Sequence, residues 1–119
     1  MGEERRGFAR VPEPFQATYR TNPYERWKEL QTIDVSATGM YAASRIAIDP
    51  QTPIELQFKL PLSSGEILFE LKGIVLSSQG GPGLTKVRIQ FDDVAPDQQA
   101  MIDECVQFLL KHPRPHEEG

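Results

Sequence analysis

The sequence has one cysteine and no long apolar run, and both shortages narrow what the chain can be. Cys105 has no second cysteine with which to form an internal disulfide, which fits a reducing compartment. No segment approaches the roughly 18 consecutive apolar residues of a membrane-spanning helix, and the opening residues are charged, unlike those of a secretory signal. The 119 residues are enough for one domain with its own core. We therefore expect a cytoplasmic domain that does not insert into a membrane.

Residues that carry catalysis or bind metals are also scarce. The two histidines are His112 and His116, and the prolines between them exclude a helix that would place both on one face. Cys105 lies on the apolar stripe of a predicted helix, as a core cysteine does. The glycine-rich stretch 80–83 lacks the Gly-Lys-Ser/Thr ending of a phosphate-binding loop and precedes a strand pattern instead of a helix. The sequence predicts no enzyme, no metal site and no cofactor.

The charge distribution argues against a nucleic-acid polymer as the ligand. The net charge is −4, and residues 1–30 hold six Lys/Arg against five Glu, so the acidic excess lies in the rest of the chain. An acidic body repels a long polyanion, although a local arginine cluster can still capture a small anion. A barrel that binds single-stranded RNA expects basic, aromatic strand faces, and aromatics are only 8% of this chain.

Short segments of alternating apolar and polar residues dominate the chain, as in half-buried strands. They are separated by Pro, Gly, Asn and Ser clusters, with no helical pattern between them. This spacing predicts a mainly β domain, a six-stranded antiparallel barrel or a sandwich; closure into a barrel would remove exposed sheet edges. The predicted strands cover about residues 14–20, 27–33, 39–43, 54–60, 67–76 with a bulge at Gly73, and 87–91.

The pattern changes after the last strand, where apolar residues recur at spacings of three and four. This stripe predicts an amphipathic helix over about 96–111, beginning at Pro96 and ending before Pro113. We expect the barrel and this helix to occupy residues 14–112, between a flexible arm at 1–13 and a loose tail at 113–119. The stripe comprises Met101, Ile102, Cys105, Phe108 and Leu109.

Two polar stretches are candidates for a site. The hexapeptide 34–39 places Asp34, Ser36 and Gly39 on what reads as a bend between two strands. These residue types suit an ordinary turn, but Asp34 can also accept from the N–H donors of a guanine, and the serine hydroxyl can donate or accept. Gly39 permits positive φ or close backbone approach. By itself the hexapeptide supports a turn and a site equally.

The second stretch is a cluster of three arginines ahead of the first predicted strand: Arg5, Arg6 and Arg10. A basic arm is often merely solvated. A guanidinium, however, forks onto phosphate or onto the O6/N7 edge of guanine and stacks on aromatic planes. The two stretches together therefore suggest one bipartite site for a small, compact anion.

Residues 6–10 fit the pattern RxxxR, and the hexapeptide 34–39 fits [D/N]xSxxG. Their order, and the strand and turn between them, resemble the PilZ domain family, bacterial receptors for cyclic di-GMP. The resemblance covers about residues 5–111 and implies a six-stranded antiparallel β-barrel with a C-terminal helix. Either motif alone is nonspecific, whereas both in order are a strong signal.

The resemblance implies a role for each motif residue. Arg6 and Arg10 match the arginines that grip guanine edges and phosphates. Asp34 and Ser36 match the polar pair that contacts a guanine base, and Gly39 matches the motif glycine. The chain is accordingly expected to bind cyclic di-GMP through these side chains.

Arg5 resembles the extra arginine of members that bind an intercalated dimer of the ligand, which implies two ligand molecules per chain. We expect the arm to become ordered over the ligand. Because no effector domain accompanies the barrel in this sequence, that change would be read by an unidentified downstream effector protein.

The sequence departs from the family pattern at two places. Many members have a glycine three residues before the phenylalanine of the last strand, where this chain has Arg88 before Phe91. Some members carry an arginine shortly after the motif glycine, and here the first candidate is Arg45. The first departure concerns barrel packing, and the second leaves affinity and stoichiometry open. The alternative function is a ligand-independent protein-interaction module on the same barrel.

Overall fold

Six antiparallel strands close into a barrel in the order β1-β2-β3-β6-β5-β4, and one helix follows them. The computed structural model describes residues 8–112. The expected architecture, a mainly β barrel with a C-terminal helix, is confirmed. The elements are β1 (Arg10–Arg20), β2 (Lys28–Ser36), β3 (Gly39–Ser44), β4 (Pro53–Leu62), β5 (Gly65–Gly81), β6 (Leu84–Asp92) and α1 (Pro96–Lys111).

The apolar alternation that predicts the strands also builds the core. On β6 every second residue is buried, and its neighbours Lys86, Arg88 and Gln90 are exposed. At one level of the barrel the ring of Phe58 lies 5.5 Å from that of Phe69 and 5.8 Å from that of Phe91. Burying a side chain of this size contributes roughly 1.5–3 kcal/mol, so the inward rows hold the barrel closed.

Helix α1 packs mainly against β4 and more lightly against β1 and β2. It begins at Pro96, as predicted, and buries Ile102, Cys105, Val106 and Leu109. Burial, aided by the neighbouring carboxylate, raises the pKa of the Cys105 thiol to about 11. A thiol with this pKa stays protonated at neutral pH, so Cys105 is a core residue and not a nucleophile.

Several sequence-based predictions about the strands are corrected by the structure. Strand β1 begins at Arg10, so residues 10–13 belong to the barrel and not to a flexible arm. Strand β2 continues to Ser36 instead of ending at residue 33. The predicted bulge at Gly73 is wrong, because β5 stays in register there and the irregularity falls between Val75 and Ser77. The remaining arm prediction and the tail at 113–119 lie outside the described residues.

Gly73 has a packing role instead. A Cβ at this position would lie 2.9 Å from Cγ2 of Ile89 and 3.2 Å from the carbonyl oxygen of Gln90. The absence of a side chain at Gly73 therefore leaves room for the Ile89 side chain of the neighbouring strand β6. None of the helices in the described range has the length and apolarity that crossing a membrane requires.

Candidate functional site

A break in the alternation of β2 turns Asp34 toward the outside of the barrel. Leu30 and Thr32 are buried, but the next buried residue is Val35. The alternation of inward and outward side chains therefore shifts by one residue at Ile33. The pairing of β2 with β3 shifts register between Thr32 and Asp34, and the pairing of β1 with β2 shifts at the same level. Such bulges re-aim side chains and recur beside binding sites. Strict alternation would have pointed the Asp34 carboxylate into the core.

Arg10 on β1 pairs with Ser36 on β2, and its side chain contacts both Asp34 and Ser36. Its Nη1 donates to Oδ1 of Asp34 and forms an ion pair with it, while its Nη2 lies 3.5 Å from Oγ of Ser36. The side chains of Arg10 and Asp34 are 39% and 24% exposed. Ion pairs this open to water contribute about 0–1 kcal/mol, so a ligand with better partners for each group can replace the pair.

Ser36 shapes the end of the hairpin between β2 and β3. Its hydroxyl is buried and accepts from the backbone N–H of Thr38 at 3.2 Å, and it lies 3.1 Å from the Thr38 hydroxyl. The turn itself consists only of residues 37 and 38. The hexapeptide 34–39 is thus a strand end, a two-residue turn and a strand start, and not the continuous bend predicted from the sequence.

Gly39 is required by the close approach of another strand. Its φ lies outside the left-handed region. A Cβ on this residue would lie 2.3 Å from the carbonyl oxygen of Ile89 and 3.3 Å from Cα of Gln90. Beside it, the N–H of Phe91 donates to the Thr38 carbonyl at 2.9 Å. Of the two roles considered for this glycine, close backbone approach is the one observed.

The structure brings four of the six predicted site residues together at one outer face, where Arg10 and Asp34 are partly exposed and Ser36 and Gly39 are buried next to them. Arg5 and Arg6 lie outside the described residues.

The same face continues onto β3 and β6, which the sequence pattern alone does not indicate. Tyr41 lies opposite Asp34, and Arg88 lies opposite Tyr41 with its guanidinium carbon 5.1 Å from the ring centre. Alternation alone places Arg88 outward, but only the pairing of β3 with β6 brings it near the motif.

A concavity lies elsewhere on the barrel. A groove of about 550 Å³ is bounded by Arg20, Trp27 and Glu55 and by residues of β5 and the start of α1. None of the motif residues between 8 and 112 lines it. The partly exposed Arg10–Asp34 pair and the buried Ser36 beside it are therefore separate from the groove.

A profile of the PilZ domain matches residues 4–108, which is most of the chain. The chain belongs to the PilZ domain family. A search of curated proteins by sequence finds no match.

Solved structures share the PilZ fold of this chain. The Bacillus subtilis inhibitor of motility, MotI/DgrA, superposes with a TM-score of 0.73 at 18% identity, covering 90% of this chain and 52% of that one. The PilZ domain of Escherichia coli YcgR with c-di-GMP gives 0.64 at 15% identity, covering 90% and 93%. The longer YcgR in complex with c-di-GMP gives 0.61 at 16% identity, covering 90% and 46%. The chain thus spans about half the length of the two longer proteins and nearly all of the isolated domain.

Proposed function

We propose that this PilZ domain is a non-enzymatic, cytoplasmic receptor for cyclic di-GMP. The observation that carries the proposal is the meeting of Arg10, Asp34 and Ser36 on one outer face, although 24 to 26 residues separate the arginine from its partners. Family membership and the cyclic di-GMP complexes of structurally similar proteins support the choice of ligand.

Each motif side chain has a defined task in this proposal. The Asp34 carboxylate accepts from the N1 and N2 donors of a guanine once Arg10 leaves it. Arg10 then forks onto a guanine edge or a phosphate, where charge-assisted bonds exceed those of an exposed ion pair. Ser36 supplies a hydroxyl beside both groups, and Gly39 holds β3 against β6 so that the hairpin keeps its shape.

Arg5 and Arg6 complete the site in this proposal. Two further guanidiniums match the charge of a ligand with two phosphates, and Arg5 is the basis for proposing two ligand molecules as an intercalated dimer. Ordering each residue N-terminal to β1 over the ligand costs about 1–2 kcal/mol, so binding must supply more than that. The ordered segment would then present a new surface to an effector protein.

Calorimetric titration with cyclic di-GMP tests the proposal. Saturable binding is expected, with two ligands per chain, and Arg10→Ala and Ser36→Ala should each weaken it. Arg26→Ala is the matched control for loss of one positive charge, because Arg26 is exposed in the loop at the opposite end of β1. Absence of heat at near-millimolar ligand would overturn the function, and equal behaviour of Ser36→Ala and Arg26→Ala would overturn the site.

The alternative function is a ligand-independent interaction module. Two observations favour it: Arg10 and Asp34 already satisfy each other, and the 550 Å³ groove lies away from the motif. A pull-down that retains the same partner equally with and without cyclic di-GMP would support this alternative, whereas ligand-dependent retention would support the receptor.

A further inference from the structure

The motif face contains a cross-strand row that runs from β2 to β6. Asp34 pairs with Tyr41, and Tyr41 pairs with Arg88, so the three side chains lie side by side on the outer surface. Arg88 is exposed and Tyr41 is half-buried. A row of this kind places a carboxylate, an aromatic ring and a guanidinium in sequence.

Arg88 is held by the ring and not by an acidic partner. Its guanidinium carbon lies 5.1 Å from the centre of the Tyr41 ring, within the range of a cation–π contact. Within residues 8–112 it forms no ion pair, and its partner on β5 is Ser77. Five N–H donors are therefore pre-placed on a scaffold that leaves them available.

The spacing of the row suits a guanine base. Neighbouring strands lie about 4.8 Å apart, so the backbones of β2 and β6 are separated by roughly 9–10 Å. Guanine carries donors at N1 and N2 and acceptors at O6 and N7 on adjacent edges, and arginine reads the O6/N7 pair as a fork. A base between the two strands can face Asp34 with its donors and Arg88 with its acceptors.

We propose that Arg88 is a further ligand-binding residue that contacts the O6/N7 edge of the guanine whose donors Asp34 accepts. Tyr41 is a positioning residue, because its ring keeps the Arg88 guanidinium over the motif face of the barrel. This inference rests on the proposed function, since it assigns a second contact to the same ligand. It also assigns specificity: adenine has an amino donor in place of O6, so the Asp34–Arg88 pair selects guanine.

The test compares Arg88→Ala with Lys86→Ala in cyclic di-GMP titrations. Lys86 is exposed on the same strand and faces the same side, so it controls for loss of one positive charge. Arg88→Ala should weaken binding roughly tenfold or more, as expected for a bidentate contact to guanine, and Lys86→Ala much less. Equal losses would overturn the assignment.

A ligand analogue separates base reading from attraction to phosphate. Cyclic di-(7-deaza-GMP) lacks N7, so it should bind the wild type more weakly than cyclic di-GMP does, and this penalty should shrink in Arg88→Ala. An unchanged penalty, or full affinity in Arg88→Lys, would overturn base reading.

The positioning role has its own readout. Tyr41→Phe keeps the ring and should bind as the wild type does, whereas Tyr41→Ala should bind less tightly; equal affinity for the two variants would overturn this role. If the wild type binds cyclic di-GMP and Arg10→Ala does not, an unchanged affinity in Arg88→Ala overturns the inference about Arg88. The proposed receptor function still stands in that case.

Discussion

Strand β1 carries an arginine at each end, and the two ends use the same chemistry for different purposes. Arg10 meets Asp34 on β2, and Arg20 meets Glu55 on β4 with 2.8 Å between Nε and Oε1. Arg20 also donates to the Pro23 carbonyl at 3.3 Å, and its guanidinium lies 4.3 Å from the Trp27 ring centre. Its side chain is 24% exposed, against 39% for Arg10.

The two guanidiniums differ in how far protein contacts already occupy them. The contacts of Arg20 cover one flat side and engage two of its donor groups, which fixes the loop after β1 against the barrel. Arg10 also engages two donor groups, but one contact is an exposed ion pair and the other, to Ser36, is long. Within the described residues no ring covers its guanidinium, and its side chain is the more exposed of the two. The more saturated arginine supports the fold, and the less saturated one is available to a ligand.

The largest expected effect is on ligand binding at the Arg10 end. Arg10→Ala should weaken cyclic di-GMP binding by about 2 kcal/mol, the scale of hydrogen bonds to charged groups, or roughly thirtyfold. Arg20→Ala should leave the affinity near that of the wild type. Calorimetry on both variants measures the comparison, and similar losses for the two would remove the distinction between the ends of β1.

The next effect is on stability at the motif glycine. Gly39→Ala places a Cβ against the Ile89 carbonyl and should reduce the free energy of unfolding by about 1–3 kcal/mol, as overpacking does. Gly80→Ala is the control, because a Cβ there meets no atom within 4 Å. Urea unfolding of both variants reports the result, and equal stabilities would show that β6 does not constrain Gly39.

A smaller stability effect is expected at the Arg20 end. Arg20→Ala removes a cation–π contact and a partly exposed ion pair, which together contribute about 1 kcal/mol. Arg10→Ala should cost less than this, since Arg10 has fewer protein contacts. Thermal or urea unfolding checks the order, and a larger stability loss in Arg10→Ala would reverse the structural assignment of the two arginines.

The smallest effect is a pH dependence in the loop after β1. The backbone N–H of Thr21 and the Lys28 ammonium lower the pKa of Glu25 from 4.5 to about 2. Because the folded pKa is depressed, this contribution to stability is present above about pH 4.5 and is lost as the pH falls toward 2. Glu25→Gln should flatten that part of the stability profile, measured by urea unfolding between pH 6 and 2. An unchanged stability profile would show that Thr21 and Lys28 do not lower the pKa of Glu25.

Elements governed by local pattern were predictable from the sequence. The outward and inward rows of β6 follow from strict alternation, and the helix follows from its apolar stripe and Pro96. The local pattern places Asp34 in a turn, because the bulge at Ile33 depends on pairing with two other strands, which no local pattern shows. Arg10 was assigned to an arm for the same reason, since its place in β1 depends on the distant Ser36.

Of the candidate site, only the motif residues could be predicted from the sequence. The order of the two motifs predicts one site, and in the structure Arg10 contacts Asp34 and Ser36. The Arg88–Tyr41 contact joins residues that are 47 positions apart and requires the pairing of β3 with β6. The family pattern marks Arg88 only as a departure concerning packing, whereas the structure places it beside the site.

An amide chemical-shift titration of the full chain with cyclic di-GMP tests the central claim most directly. Saturable shifts are expected at Arg10, throughout the hexapeptide 34–39 and at Arg88, with Arg20 and Trp27 unaffected. Shifts centred on Arg20 and Trp27, or no saturable change at near-millimolar ligand, would contradict it.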